Sequence, residues 1–130
     1  MESLEPILTE TVEKVNLLCI PEEKREAVLK ELKRIDVSAV WSSRNCMEIT
    51  HPLADKGRGV EKACAILDIP ASAVMALGDS GNDVAMLRRA GLAVAMGNAP
   101  DFVKAAADAV SDRYDEDGAA KAIEHFALIK

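Results

Sequence analysis

The apolar positions of this chain change rhythm partway along it. Leu4, Ile7, Leu8, Val12 and Val15 recur at helical spacing. Pro6 fits that helix only in its first turn, where a backbone N–H has no helical partner. Residues 15–20 form a short apolar run that reads as a buried strand, stopped by Pro21. Residues 22–34 read as a charged helix, with Ala27, Val28, Leu29, Leu32 and the following Ile35 as its inner face. Residues 37–41 and 47–50 are strand-like, and Ser42-Ser43-Arg44-Asn45 between them reads as a hairpin turn. Pro52, Gly57 and Gly59 then punctuate the sequence and mark a boundary near residue 51. Beyond it the pattern predicts helix 58–67, strand 73–77, helix 82–89, strand 92–96, helix 101–107, a strand stub at 109–110 and helix 118–128. Strands alternating with helices in this way predict an α/β fold, a parallel sheet flanked by helices over 51–130, preceded by a smaller unit over 1–50.

Composition narrows the function. A hydrophobic fraction of 49% with 29% charged residues is that of a globular protein, and 3% aromatics leaves the core to aliphatic side chains. The formal charge of −6 disfavours nucleic acid and anionic membrane surfaces as partners. A small anionic ligand then needs a local lysine or a metal cation to override the global sign. No apolar run approaches the roughly 20 residues of a membrane span, and the acidic start lacks the marks of a secretory signal. Cys19, Cys46 and Cys64 are far apart and form no Cys-x-x-Cys pair, so they read as reduced, buried thiols of a cytoplasmic protein.

The chemistry concentrates at residues 74–83, Val-Met-Ala-Leu-Gly-Asp-Ser-Gly-Asn-Asp. An apolar strand ends in Gly78-Asp79, a tight turn follows, and a helix begins near Asn82. Ligands of open parallel sheets bind beyond the carboxyl ends of the strands, where Asp79 stands. Asp83 lies in the first helical turn and can face the same point. Two readings are open: the carboxylates hold a hard cation such as Mg²⁺, or they cap the helix. Lys56, between Asp55 and Gly57 at a helix entry, adds a positive charge where the helix already favours anions, or is a solvated surface lysine. Residues 92–100 read as a buried strand and a Gly turn, with Asn98 capping the next helix.

Gly-Asp-Ser-Gly-Asn-Asp-Val-Ala-Met-Leu (78–87), Ala90-Gly91 and Val94-Ala95-Met96-Gly97-Asn98-Ala99 strongly resemble the haloacid dehalogenase superfamily of phosphatases. The closest likeness is to its Cof-type branch, whose cap is inserted within the core. Asp55-Lys56-Gly57 fits that branch's motif III lysine, and residues 115–123 fit its C-terminal segment. The resemblance implies a Rossmann-like core with the end of an α/β cap before it. It implies Mg²⁺-dependent hydrolysis of a small phosphorylated metabolite through an aspartyl-phosphate. Asp79 would be a direct metal ligand, Asp83 a metal ligand too or an acceptor one step behind it, and Asn82 would help to hold phosphate. Lys56 would neutralise the nucleophile and the transferring group. Ser43, Arg44 and Asn45 would reach toward substrate from the cap hairpin, or are solvated turn residues.

One part of the family pattern has no match. The nucleophile is the first Asp of Asp-x-Asp-Gly-Thr after a buried strand, and nothing in residues 1–50 matches it. Val40-Trp41-Ser42 imitates the motif that follows it, but its position favours the cap. Asp115-Glu116-Asp117-Gly118 has similar spelling, yet polar residues separate it from the nearest apolar stub and Ala119 replaces Thr. It reads as a loop leading to the last helix. The chain therefore reads as the end of the cap and half of the core, inactive alone, with an open strand edge that self-associates or pairs with an N-terminal half. One rival is a non-catalytic metal- or phosphate-binding module on the same fold. Another, a phosphoacceptor receiver domain, needs acidic residues at an early strand end, where this chain has Pro21.

Overall fold

The computed structural model describes residues 12–43 and 45–128, which form two compact units divided between Leu53 and Ala54. The helix expected around Leu4, Ile7 and Leu8 begins outside the described residues. Its end does not continue as helix, because Val15 lies in a strand.

In the first unit, β1 (Lys14–Leu18), α1 (Glu22–Leu32), β2 (Ser38–Ser43) and β3 (Cys46–Thr50) follow one another. The strands form an antiparallel sheet in the order β1-β3-β2. β1 is thus an edge strand, and Val15 and Leu18 are exposed, not buried as the apolar run suggested. Alternation along β3 buries Met47 completely. Ser42 and Ser43 belong to β2 and not to the turn, and a bulge between Trp41 and Ser43 absorbs the register shift. The inner face of α1 is only half-buried at Val28, Leu29 and Leu32, while Ala27 and Ile35 are exposed. The Arg25 guanidinium covers the Trp41 ring at 5.0 Å.

The second unit alternates helix and strand as the pattern predicted. α2 (Lys56–Leu67) leads through a 3-10 turn (Ala71–Ala73) into β4 (Met75–Gly78). A second 3-10 turn (Gly81–Asp83) precedes α3 (Val84–Leu87), then β5 (Leu92–Ala95), α4 (Asp101–Lys104) and β6 (Ala109–Val110). A third 3-10 turn (Tyr114–Glu116) leads to α5 (Gly118–Phe126). β4, β5 and β6 are parallel and lie in that order. Ala76, Leu87, Ala93, Ala95, Ala99 and Val103 make the core, whose small side chains let the helices approach the sheet closely. α3 and α4 are shorter than predicted. Asp83 N–H bonds the Ser80 carbonyl and Ala106 N–H the Val103 carbonyl, three-residue spacings that tighten these segments into 3-10 turns.

Of the cysteines, only Cys64 is buried; Cys46 is partly exposed and Cys19 exposed. No helix among the described residues is long and apolar enough to cross a membrane.

Candidate active site

The site is built where β4 ends. Val74 and Gly78 carbonyls accept bonds from Leu92 and Met96 of the β5 segment, so β4 is fixed along its length. The chain then folds back so tightly that a Cβ on Gly78 would lie 2.5 Å from the Asp83 Cβ. Only glycine fits there.

Asp83 ties this turn together. Its Oδ2 accepts from the backbone N–H of Asp79 and of Ser80 and from the Ser80 hydroxyl, each at 3.0 Å. Its Oδ1 takes a close ion pair with the Lys56 ammonium. Asp83 is the one buried charged residue among the described residues, 4% exposed. Burial pushes its carboxyl up, but Lys56 and the backbone donors of Asp79 and Ser80 outweigh this and hold it below the usual carboxylate value.

Lys56 arrives from the first turn of α2. Asp55 caps that helix by accepting from the Arg58 N–H at 2.9 Å, which fixes where the helix starts. The helix therefore begins at Lys56 and not at Arg58. Gly57 lets α2 lie against α3: a Cβ there would stand 2.6 Å from the Ala85 carbonyl oxygen. The Lys56 ammonium also donates to Asn82 Oδ1 at 3.3 Å, and its side chain remains half exposed.

Asp79 differs from Asp83 in every respect that matters to a cation. It is exposed at the strand end. Its Oδ2 accepts from Asn98 Nδ2 at 3.1 Å, and its Oδ1 carries no hydrogen bond among the described residues. This oxygen set suits a hard cation. Both oxygens of Asp83, by contrast, are already engaged. Among the described residues no group of three or more His, Cys, Asp and Glu side chains could hold a metal ion. Any cation at Asp79 therefore needs further ligands from elsewhere, such as water or a phosphate oxygen.

Lys56, Asp79, Asn82 and Asp83 thus converge on one strand end. Ser43 ends β2 and Asn45 follows in the turn, whose carbonyl accepts from Cys19 N–H at 2.9 Å, while Arg44 lies outside the described residues. Asn98 does not cap α4, which starts after Pro100 without a side-chain cap. Its side chain turns to Asp79 instead, a role the sequence reading missed. Asp115 is exposed in a 3-10 turn, paired with Arg113 at 3.0 Å, and Asp117 precedes α5, so neither stands at a strand end. A concavity lined by Val110, Asp112, Lys121, His125 and Phe126 includes none of the four convergent residues.

An α/β unit with a Gly-Asp turn at a parallel-strand end thus places an open aspartate and a carboxylate-anchored lysine where ligands of parallel sheets bind. Residues 1–123 match the family model of the haloacid dehalogenase-like hydrolases, and the chain belongs to that family. It is 44% identical over 105 residues to the 5-amino-6-(5-phospho-D-ribitylamino)uracil phosphatase YcsE of Bacillus subtilis, covering 80% of this chain and 42% of that protein. A solved haloacid dehalogenase-like hydrolase from B. subtilis superposes with a TM-score of 0.87 at 32% identity, over 97% of this chain and 46% of the other. A solved sugar phosphatase of subclass IIB, the Cof-type branch, superposes with a TM-score of 0.84 at 34% identity, over 98% of this chain and 48% of the other. The chain thus spans less than half the length of these relatives.

Proposed function

We propose that this chain forms the metal- and phosphate-binding side of a Mg²⁺-dependent phosphatase of small phosphomonoesters, sugar or polyol phosphates among them. The observation that carries this reading is the Lys56 ammonium, held by buried Asp83 beside the open Asp79 carboxylate. The names of the relatives support the substrate class. Residues 51–130 are then half of the core and residues 1–50 the end of the cap, from which Ser43, Arg44 and Asn45 contribute to substrate choice.

In this reading Asp79 is the direct metal residue. Asp83 works one step back: it holds the Lys56 ammonium in place, and it fixes the turn that carries Asp79. Lys56, at the positive end of α2, offsets negative charge on the phosphoryl oxygens and on the attacking carboxylate. Asn82, already bonded to Lys56, offers an amide to the same phosphate. Mg²⁺, when bound, supplies a Lewis acid that draws charge from the phosphoryl oxygens. The nucleophile is an aspartate from the part of the family's length that this chain does not match. Its carboxylate attacks phosphorus as the bond to the alcohol oxygen breaks, a second acid of the same unmatched part gives the leaving oxygen its proton, and water then cleaves the aspartyl-phosphate to orthophosphate and free carboxylate.

The open side of β4 supports the same reading. Val74 and Gly78 face β5, so the backbone groups of Met75 and Leu77 face the other way, where no strand lies among the described residues. A further strand completes this edge, from the rest of a longer core or from a second copy. Light scattering of the purified chain tests this; a monodisperse monomer with a cooperative melt contradicts it.

The catalytic reading is tested by turnover of an aryl phosphate, with and without Mg²⁺, by the chain and its Asp79→Ala variant. The expected result is no turnover by either, because the nucleophile lies elsewhere. Mg²⁺-dependent turnover lost in Asp79→Ala would show a nucleophile within these residues, and Asp115 would be the first to mutate. A non-catalytic binding module, the alternative, predicts no turnover even when the missing half of the core is supplied.

A further inference from the structure

We infer that Asn98 is the positioning residue of Asp79: it fixes one oxygen of the carboxylate, turns the other outward, and couples both to the turn at 113–116. The inference rests on the reading of Asp79 as the metal residue.

The geometry is specific. Asn98 Nδ2 donates to Asp79 Oδ2 at 3.1 Å, and Asn98 Oδ1 accepts from the Tyr114 backbone N–H at 3.1 Å. Chemistry fixes the direction of this relay. A backbone N–H can only donate and an ionised carboxylate can only accept, so the amide has one orientation that satisfies both ends. The two partners thus fix which end of the Asn98 amide faces Asp79 and which faces Tyr114.

The far end of the relay is itself anchored. Gly97 N–H donates to the Asp112 carbonyl at 3.0 Å. A Cβ on Gly97 would lie 2.8 Å from the Ser111 carbonyl oxygen and 2.9 Å from the Arg113 nitrogen, so the 111–114 backbone lies directly against the segment that carries Asn98. Gly118 N–H returns to the Arg113 carbonyl at 3.0 Å and ties the turn to the start of α5. The orientation of Asp79 is therefore set from β6 and α5 as well as from its own strand. Partners that orient a metal-binding side chain from behind typically change metal affinity by about 10–100-fold when removed.

Tyr114 provides a second handle that leaves Asn98 in place. It is the first residue of its 3-10 turn, and Arg113 before it is extended at φ −70°, ψ 162°. Both conformations accept proline at 114. Tyr114→Pro therefore deletes the N–H that holds the amide, together with a phenol side chain that is 70% exposed.

The experiment is a Mn²⁺ titration followed by paramagnetic broadening of backbone amides in the ¹H–¹⁵N spectrum. It uses the 130-residue chain as wild type, Asp79→Ala, Asn98→Ala and Tyr114→Pro. Amide dispersion in the same spectra checks folding. The wild type should show broadening localised around residues 78–83, and Asp79→Ala should lose it. Asn98→Ala should need roughly tenfold more Mn²⁺ for the same broadening. Tyr114→Pro should shift in the same direction by less, with an unchanged melting temperature. Should Asn98→Ala fail to fold, the Tyr114→Pro shift decides. Wild-type titration in the two relay variants, with broadening lost in Asp79→Ala, overturns this inference and leaves the metal reading standing. No localised broadening in the wild type overturns the metal reading, and this inference with it.

Discussion

Gly57 and Gly59 both lie in the first half of α2, and alanine should act in opposite directions at the two. An ideal Cβ at Gly59 meets nothing within 4 Å. Gly59→Ala therefore only restricts the unfolded chain and improves helix propensity, a gain of about 0.5–1 kcal/mol. At Gly57 the same gain is opposed by the Ala85 carbonyl, whose oxygen and carbon would lie 2.6 and 2.9 Å from the new methyl group. Backbone cannot swing aside as a side chain can, so α2 and α3 must move apart by several tenths of an ångström. Overpacking of this kind costs about 1–3 kcal/mol. The helix gain is common to both, so the two variants should differ by the overpacking cost, about 1–3 kcal/mol, with wild type between them. Urea unfolding of the three proteins at one concentration measures this, with equal m values as the check that only stability changed. The displacement also moves Lys56, the neighbour of Gly57, so Gly57→Ala should lose phosphate binding as well. Equal stability of the two variants, or a destabilised Gly59→Ala, would refute the close approach of α2 and α3.

Asp83 supplies further predictions. Asp83→Ala leaves the backbone donors of Asp79 and Ser80 without their acceptor and removes the Lys56 ion pair, and should cost about 2–3 kcal/mol by urea unfolding. Its folded carboxyl lies below the usual 3.8, so it stabilises the fold above that pH and the contribution is lost as pH falls through the lower folded value. Asp83→Asn should accordingly flatten the acid limb of the stability–pH curve below about pH 4; an unchanged limb contradicts the Lys56 pairing. Asp115→Asn, exposed in its turn, should leave both the melting temperature and Mn²⁺ binding as in the wild type.

Much of this was legible in the sequence, and the exceptions have a common cause. The Gly78-to-Asp83 segment announces itself because strand, tight turn and helix start are all local, and each needs the residue type it has. The alternation of helix and strand after residue 51 is equally local. What sequence could not give is contact across the chain. Asp83 looks like one of two equivalent carboxylates until Lys56, 27 residues earlier, occupies one of its oxygens. Asn98 stands before a helix, where asparagine commonly caps, and only the return of the 111–114 backbone diverts it to Asp79. Residues 15–18 are apolar enough for a core strand, yet β1 is an edge of its sheet, and hydropathy does not tell an edge from a centre. Helices ended early at α3 and α4 because three-residue hydrogen bonds tightened their ends, which apolar spacing does not encode.

The most direct test of the central claim is calorimetric binding of orthophosphate to the purified chain, with and without Mg²⁺, beside Asp79→Ala and Lys56→Ala. The account predicts binding that requires Mg²⁺ and is lost in both variants. Phosphate binding that ignores Mg²⁺ and survives both substitutions, or none under any condition, would contradict it.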